Sequence, residues 1–422
     1  MPFIKVSFYD DEHERKLGNT PKYKVIEGLV KNGFTCSDAD LWTYSLFAEQ
    51  KPFRGFRNFE ELKIRLPRRW KTIEDYFYLN NYTVRAKFPG AKYQKLTEEL
   101  GVGSALALVS HIHGLTQADW DIIDVTRSKD LDFSLDPRKQ RIVDTLIKPD
   151  IRGNSTVYNQ INSDLNVASD GERFVEVEAK GSYVDVDRKR TISGMKADIE
   201  EKKETQRTEH NNQNLLYGVI TIYSENKNVT AHSRILDPPA TYNSEDDPRK
   251  VRLLSRLNFY ADQLNLFSRS NYLIALVNRI RDISVIENYQ SLDSQPLLNR
   301  NGEKFELPNS YTQSRTVIDI REGLGIGEVF PISSSEYFFF GFDIAIPLKL
   351  IDQNFSEILE YRCDLPAVLD LEVSAKLRTQ DLQIFRIDYS ASESSRDRTR
   401  AVMQLSGTLY INSSGIILGM LR

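Results

Sequence analysis

Alternation of apolar and polar residues predicts strands in the middle of the chain. Two segments with this period of two, Asp164–Ala168 and Phe174–Lys180, flank an Asp-Gly turn. The apolar segment Leu215–Tyr223 has the composition of a buried strand, and Val229–Leu236 is expected to return beside it. The pattern therefore predicts a sheet built largely from neighbouring segments.

Helical periodicity and helix-start signals predict helices on both sides of this region. One such signal is the Asp-Pro pair at the start of the predicted helix Asp136–Leu146. The predicted helices are Pro21–Lys31, Asp38–Gln50, Leu96–Val109, Gln117–Ile123 capped by Thr116, Asp136–Leu146, Lys196–Glu209, Pro248–Leu264 and Asn271–Ile283. Further strands are predicted at Thr316–Asp319, Glu336–Pro347, Ala367–Ala375, Gln383–Tyr389, Ala401–Tyr410 and Gly415–Leu421. Asn412–Gly415 has the residues of a hairpin turn.

A chain of 422 residues is long for one compact domain. We expect a mixed α/β and α+β protein with three regions. These are an N-terminal mixed domain at 1–130, a central domain at 131–245 and a C-terminal domain at 246–422, helical at first and then rich in strands. Within the first region, Glu61–Leu96 is basic and aromatic, which makes it a candidate for nucleic-acid contact; a small domain with an aromatic core is the alternative.

Composition narrows the class of protein. The formal net charge is −4, so any binding to nucleic acid must come from local basic patches. Two cysteines, Cys36 and Cys363, form neither a disulfide framework nor a zinc motif, and with no signal peptide a reducing cytoplasm is expected. No membrane span is predicted. Gly101–Val102–Gly103 is not a complete phosphate-binding loop, and His111 and His113 are expected to be structural.

The segment around the Asp-Gly turn carries the candidate chemistry. On its second strand, Glu178 and Lys180 project to one face because strand side chains alternate. A three-residue loop would place Asp164 opposite Glu178, whereas a two-residue loop would place it opposite Val177; the sequence allows both. Two adjacent carboxylates beside a lysine suit a bound Mg²⁺ or Mn²⁺ ion and the hydrolysis of a phosphodiester.

Asp164 followed by Glu178-Ala179-Lys180 resembles the PD-(D/E)xK nuclease superfamily, which has the restriction-endonuclease-like fold. The flanking elements from Asp136 to Pro239 are similar to the αβββαβ core of that family. The resemblance implies that Asp164, Glu178 and the backbone of Ala179 bind the metal. It implies that Lys180 activates the attacking water. Asp150, which follows Pro149, is the alternative first ligand.

The resemblance also implies residues that support the site or hold the substrate. Lys202 and Gln206 lie on the helix expected after the Glu-x-Lys strand, and Arg188 belongs to a basic cluster just before that helix. The leading helix, which often carries a Glu in this family, has only Asp144.

The expected activity is that of a Mg²⁺-dependent endonuclease that hydrolyses DNA. By analogy it would serve in restriction or anti-phage defence. Since enzymes that cut both strands often dimerise, a homo-oligomer is one expected state. The alternative is an inactive nuclease-fold protein that acts as a protein- or nucleic-acid-binding module.

Overall fold

The described part of the chain is a mixed α/β structure with two β-sheets. The structure, a computed structural model, describes residues 3–46, 59–80, 83–86, 94–124, 164–183, 192–200, 215–223, 230–236, 247–267, 271–305, 316–320, 323–378 and 400–422. None of its described helices is both long enough and apolar enough to cross a membrane.

The larger sheet is mixed, with nine strands among the described residues in the order β3-β4-β1-β9-β8-β7-β6-β5 and β2 beside β1. In chain order they are β1 Phe3–Phe8, β2 Phe34–Thr35, β3 Phe77–Asn80, β4 Thr83–Ala86, β5 Trp120–Asp124, β6 Asp164–Ser169, β7 Phe174–Tyr183, β8 Leu215–Tyr223 and β9 His232–Leu236. Strands β5, β6 and β7 form an antiparallel meander, and β7 then pairs with β8 in parallel. Strand β1 lies parallel to β9, far away in sequence.

The smaller sheet is antiparallel, and its described strands are in the order β10-β11-β12-β15-β14-β13. They are β10 Thr316–Ile320, β11 Gly323–Pro331, β12 Tyr337–Asp343, β13 Val368–Arg378, β14 Arg400–Ile411 and β15 Ile416–Leu421. The predicted turn joins β14 to β15, with Gly415 at φ 79° and its N–H donating to the carbonyl of Asn412 over 2.9 Å. A positive φ is the reason that this position suits glycine.

Helices cover both faces of the larger sheet and connect it to the smaller one. They are α1 Asp11–Leu17, α2 Tyr23–Asn32, α3 Asp38–Leu46, α4 Phe59–Tyr76, α5 Gln94–His113, α6 at residues 192–200, α7 Pro248–Phe267, α8 Asn271–Val285, α9 Ala345–Asp352 and α10 Phe355–Glu360. Single 3₁₀ turns occur at Gln117–Asp119 and Tyr289–Leu292.

Helix α5 crosses β7 at a contact between two glycines. A Cβ atom on Gly101 would lie 2.2 Å from the Cα of Gly181, and one on Gly181 would lie 2.1 Å from the carbonyl oxygen of Thr97. Two residues later, a Cβ on Gly103 would meet Ser45 of α3 at 2.4 Å. The glycines of the Gly-Val-Gly segment therefore allow α5 to pack closely against β7 and α3, because backbones this close leave no room for a side chain.

The opposite face of the sheet is covered by α6. Gly218 of β8 lies under Ile199 of α6, and a Cβ on Gly218 would be 2.9 Å from the Cγ2 atom of that isoleucine. Ile199 is fully buried and packs with Ile220 and Leu236. We call the two sides of the sheet the α5 face and the α6 face.

A buried ion pair joins the 3₁₀ turn that precedes β5 to the C-terminal half of the chain. Asp119 and Arg256 are both fully buried, and the guanidinium contacts both carboxylate oxygens at 2.5 and 2.8 Å. Arg256 also donates to the carbonyls of Ile358 and Tyr361, while Arg252 donates to Asp119 over 2.9 Å. The turn before β5, helix α7 and the end of α10 are therefore joined through Asp119 and its arginine partners.

Most predicted elements that lie within the described residues are confirmed, with shifted ends. Two differences are larger. Only Gln117–Asp119 is helical in the segment expected to be a helix through Ile123, because Trp120–Asp124 pairs with β6 as a strand. The strand expected to extend to Pro347 ends at Asp343, where α9 follows. The predicted helix Asp136–Leu146 and strand Gln383–Tyr389 lie outside the described residues.

The packing does not follow the expected division at 130 and 245. Strands from 1–130 and from 164–236 belong to one sheet, so the expected boundary at 130 falls inside it. The largest buried cluster also contains residues from all three expected regions, from Ile4 to Leu418. The regions are therefore joined by a common core as well as by the chain.

We expect Gly101→Ala to destabilise the protein, because the added methyl must push α5 away from β7. Overpacking of this kind costs about 1–3 kcal/mol in the free energy of unfolding, measurable by urea denaturation. Gly28→Ala in α2 is the matched control, since a Cβ there meets nothing within 4 Å. That variant should gain up to about 1 kcal/mol from higher helix propensity. Equal effects of the two substitutions would contradict the packing role of Gly101.

We expect Asp119→Asn to lower the free energy of unfolding by about 3–5 kcal/mol, because the charge of Arg256 would stay buried without a partner. Lys304→Ala, which breaks an exposed ion pair with Asp352, should change it by no more than about 1 kcal/mol. Burial raises the pKa of Asp119, but Arg256 and Arg252 outweigh it and hold the pKa at about 2, below the ordinary 3.8.

The depressed pKa of Asp119 gives this contribution a pH dependence of known sign. The stabilisation is complete above the ordinary value of 3.8 and is lost as the pH falls towards about 2. The difference in unfolding free energy between wild type and Asp119→Asn should therefore be constant near neutral pH and shrink below roughly pH 4. A difference that stays constant down to pH 2 would refute the assignment.

Candidate active site

The two side chains of the Glu-x-Lys motif lie together on the α6 face, as predicted. The Nζ atom of Lys180 is 3.3 Å from Oε1 of Glu178. Val175 and Val177 point to the α5 face and are fully buried there. Strand alternation therefore separates the charged residues of β7 from its core residues.

Glu178 is buried although its side chain is acidic. It is 5% exposed and pairs across the parallel strands with Gly218, over which Ile199 packs. Lys180 is more open, with 27% of its side chain exposed, and its Nζ atom also lies 4.0 Å from Oδ2 of Asp198 on α6. The ammonium group is thus placed between a buried and an exposed carboxylate.

Asp198 was not among the predicted site residues. Its position in the sequence, among acidic and basic residues with helical spacing, favours an ordinary exposed helix. The long-range packing of α6 over β8 brings it to Lys180, and no local pattern in the sequence signals that contact.

Neither of the two registers that the sequence allows for this hairpin, Asp164 opposite Glu178 or Asp164 opposite Val177, agrees with the pairing in the structure. The structure pairs Asn166 with Val177 and Ser169 with Phe174. Continued by two residues, this register would bring position 164 level with Ala179, on the α5 face. Strand β6 pairs regularly with β5 up to Asp164, and β7 pairs regularly with β8 from Val175 to Tyr183, so neither strand has a bulge that would restore the expected register.

The hairpin between β6 and β7 has this register because the Asp170 side chain builds the turn. Its Oδ1 atom accepts hydrogen bonds from the N–H groups of Glu172 and Arg173 at 3.0 and 2.8 Å. The N–H of Asp170 donates to the carbonyl of Arg173, which leaves Gly171, at φ 94°, and Glu172 at the tip. Because Asp170 caps the turn, the tip consists of Gly171 and Glu172 instead of Asp170 and Gly171.

The same aspartate is anchored to the α5 face. Oδ2 of Asp170 lies 2.9 Å from Nδ1 of His113, whose Nε2 lies 2.9 Å from the hydroxyl of Tyr217. Burial raises the pKa of Asp170, but the hydrogen bonds from His113 and from the turn outweigh it and lower the pKa overall. His113 is therefore structural, as predicted, and ties the end of α5 to the hairpin and to β8.

The described residues supply an incomplete set of metal ligands. Glu178 and the backbone of Ala179 are in the described part of the chain, but no group of three or more His, Cys, Asp or Glu there is arranged to hold a metal ion. The predicted or alternative residues Asp150, Arg188, Lys202 and Gln206 lie outside the described residues.

The basic, aromatic stretch in the first region contributes to the core. Trp70 of α4 is 2% exposed and stacks on Trp42 with ring centroids 4.7 Å apart. It also packs edge-on against Phe338 of the smaller sheet. At Trp70, the alternative of an aromatic core is the correct one.

Comparison with known proteins gives no further support, since the chain matches no protein-family model, no curated protein and no solved structure.

We expect Asp170→Ala to lower the free energy of unfolding by about 1–3 kcal/mol, because two turn N–H groups and His113 would lose their partner. Glu172→Ala, at an exposed position of the same turn, should stay within about 0.5 kcal/mol. Chemical denaturation measures both, and hydrogen exchange of the Glu172 and Arg173 amides should accelerate only in the Asp170 variant. Unchanged exchange in that variant would exclude the capping role.

Proposed function

We propose that this protein is a metal-dependent nuclease with Glu178 and Lys180 at its active site. The observation that carries the proposal is the contact between these side chains on the third strand of an antiparallel meander. The order of the described elements α5, β5, β6, β7, α6 and β8, with β7 parallel to β8, supports an αβββαβ core. In this arrangement the leading helix is α5 rather than the helix expected at Asp136–Leu146.

Lys180 would act on the phosphate. Its ammonium group is held by Glu178 and Asp198 and is still partly open to solvent, so it could orient the attacking water or stabilise charge on the non-bridging oxygens. Glu178, buried beside it, would be one carboxylate ligand of a divalent cation. A bound Mg²⁺ or Mn²⁺ ion would lower the pKa of a coordinated water and neutralise phosphate charge.

Three aspartates are candidates for the second carboxylate ligand of the metal ion. The register disfavours Asp164 and so favours Asp150, and Asp198 is a third candidate because it contacts Lys180, as Glu178 does. Single substitutions of the three aspartates by alanine would distinguish them, since only a metal ligand should change the dependence of cleavage on Mg²⁺ concentration.

A second function is favoured by the same register. Continued to position 164, the register that pairs Asn166 with Val177 would not place the two predicted carboxylates opposite each other, as expected of a nuclease fold that has lost its activity. Such a protein would bind DNA or a protein partner without cutting. DNA as substrate, a role in restriction or anti-phage defence and a homo-oligomeric state are parts of the proposal that rest on the resemblance, and a cytoplasmic location is proposed from the cysteine content and the absence of a signal peptide.

We expect the purified protein to cleave plasmid DNA with Mg²⁺ or Mn²⁺ and to lose this activity with EDTA. Lys180→Ala and Glu178→Gln should each reduce the rate by about 100-fold or more, as loss of an acid-base or electrostatic group does. Lys24→Gln, an exposed change on α2, is the control that removes a charge elsewhere. Equal cleavage by all variants would exclude this site, and binding without cleavage by wild type would favour the second function.

A further inference from the structure

A second group of polar residues lies on the α6 face, at the end of the sheet where β7 and β8 end and β9 and β1 begin. The parallel register pairs Lys5 with His232 and Ser7 with Arg234. Because alternate residues share a face, all four project to the same side of the sheet. None of them belongs to the Glu-x-Lys site.

Two of these residues are hydrogen-bonded to each other. Oγ of Ser7 lies 2.8 Å from Nε2 of His232. Burial, followed by Arg234 and Lys5, lowers the pKa of His232 to about 4, so the ring is neutral near pH 7. When Nε2 carries the ring proton and donates it to Ser7, the serine hydroxyl is free to donate to a ligand.

The other two residues are cations for which the described part of the chain supplies no counter-charge. No acidic side chain among the described residues forms an ion pair with Lys5 or Arg234, and the Nε atom of Arg234 is buried without a hydrogen-bond partner. A buried donor left without an acceptor costs about 1–3 kcal/mol, and more when it is charged. Two neighbouring cations add repulsion to that cost, so an anion in this position would relieve both.

We propose that Lys5, Ser7 and Arg234 form a binding site for a phosphate group. A guanidinium offers paired N–H donors, lysine adds a point charge and the serine hydroxyl adds a third donor, which together match the several oxygens of a phosphate. A carboxylate ligand would use fewer of these donors.

The position of the site relates it to a polynucleotide. Arg234 lies in the same row across the sheet as Lys180, with Ile220 of β8 between them. Two strand spacings separate the two residues, which is about 10 Å. A DNA strand that placed one phosphate at Lys180 could place another at Arg234, but the phosphate site itself does not depend on cleavage.

Binding should be measured in EDTA, so that a failure of the proposed nuclease activity does not affect the result. The probes are inorganic phosphate, followed by calorimetry, and a fluorescein-labelled 20-nucleotide DNA strand, followed by anisotropy. Lys5→Gln and Arg234→Gln should each weaken binding about tenfold, as expected for one lost charge-assisted contact, and Ser7→Ala less. Lys24→Gln, on the opposite side of the sheet, removes the same charge and should change binding less than twofold.

The two probes distinguish the sources of the phosphate. Weaker binding of both probes by the Lys5 and Arg234 variants would support a site for phosphate groups in general, and weaker binding of DNA alone would support a backbone contact. Because Lys5 is exposed, Lys5→Gln should fold even if the Arg234 variant does not. The proposal is overturned if wild type binds neither probe, or if Lys5→Gln binds both as tightly as Lys24→Gln does.

Discussion

The ion pair between Asp119 and Arg256 is the buried charged contact that joins the larger sheet to the C-terminal half of the chain. Asp119 lies directly before β5, and the guanidinium of Arg256 also donates to backbone carbonyls in the last turn of α10 and directly after it. Arg252, one helical turn earlier on α7, links the same carboxylate to the carbonyl of Asp170 in the β6–β7 hairpin. Burying two charges is tolerable only when each has its partners, so this contact favours one arrangement of the three segments over all others. Through Arg252, the same contact reaches the hairpin that leads into the strand with the Glu-x-Lys motif.

Local patterns were sufficient for elements whose neighbours are close in sequence. The apolar segment of α5, the uniformly apolar β8 and the turn at Gly415 all behave as their residues indicate. Prediction failed where a distant partner decides. Trp120–Asp124 becomes a strand because β6 is available to pair with it, and Phe3–Phe8 was missed although its alternation is visible, since its main partner is β9.

In the candidate site too, the sequence predicts local geometry but not contacts that depend on distant residues. Alternation alone places Glu178 and Lys180 on one face, and the structure agrees. The position of Asp164 depended on the length of one turn, and Asp170 changed that length by capping the turn with its own side chain. That aspartate takes this conformation partly because His113 holds its other oxygen. The contact of Asp198 with Lys180 requires the packing of α6 on the sheet, which no local spacing encodes.

The pairing of β1 with β9 has a consequence for how the chain is made. The register pairs Phe8 with Ile235, so 227 residues must be added after Phe8 before the chain includes Ile235. At a synthesis rate of about 5–20 residues per second, β9 is made roughly 10–45 seconds after β1. During that time β1 exposes an open strand edge, which is a hazard for association with other nascent chains. The exposed Lys5 in the middle of β1 is the kind of charged residue that discourages such pairing, so the protein carries a safeguard for its synthesis in its first strand.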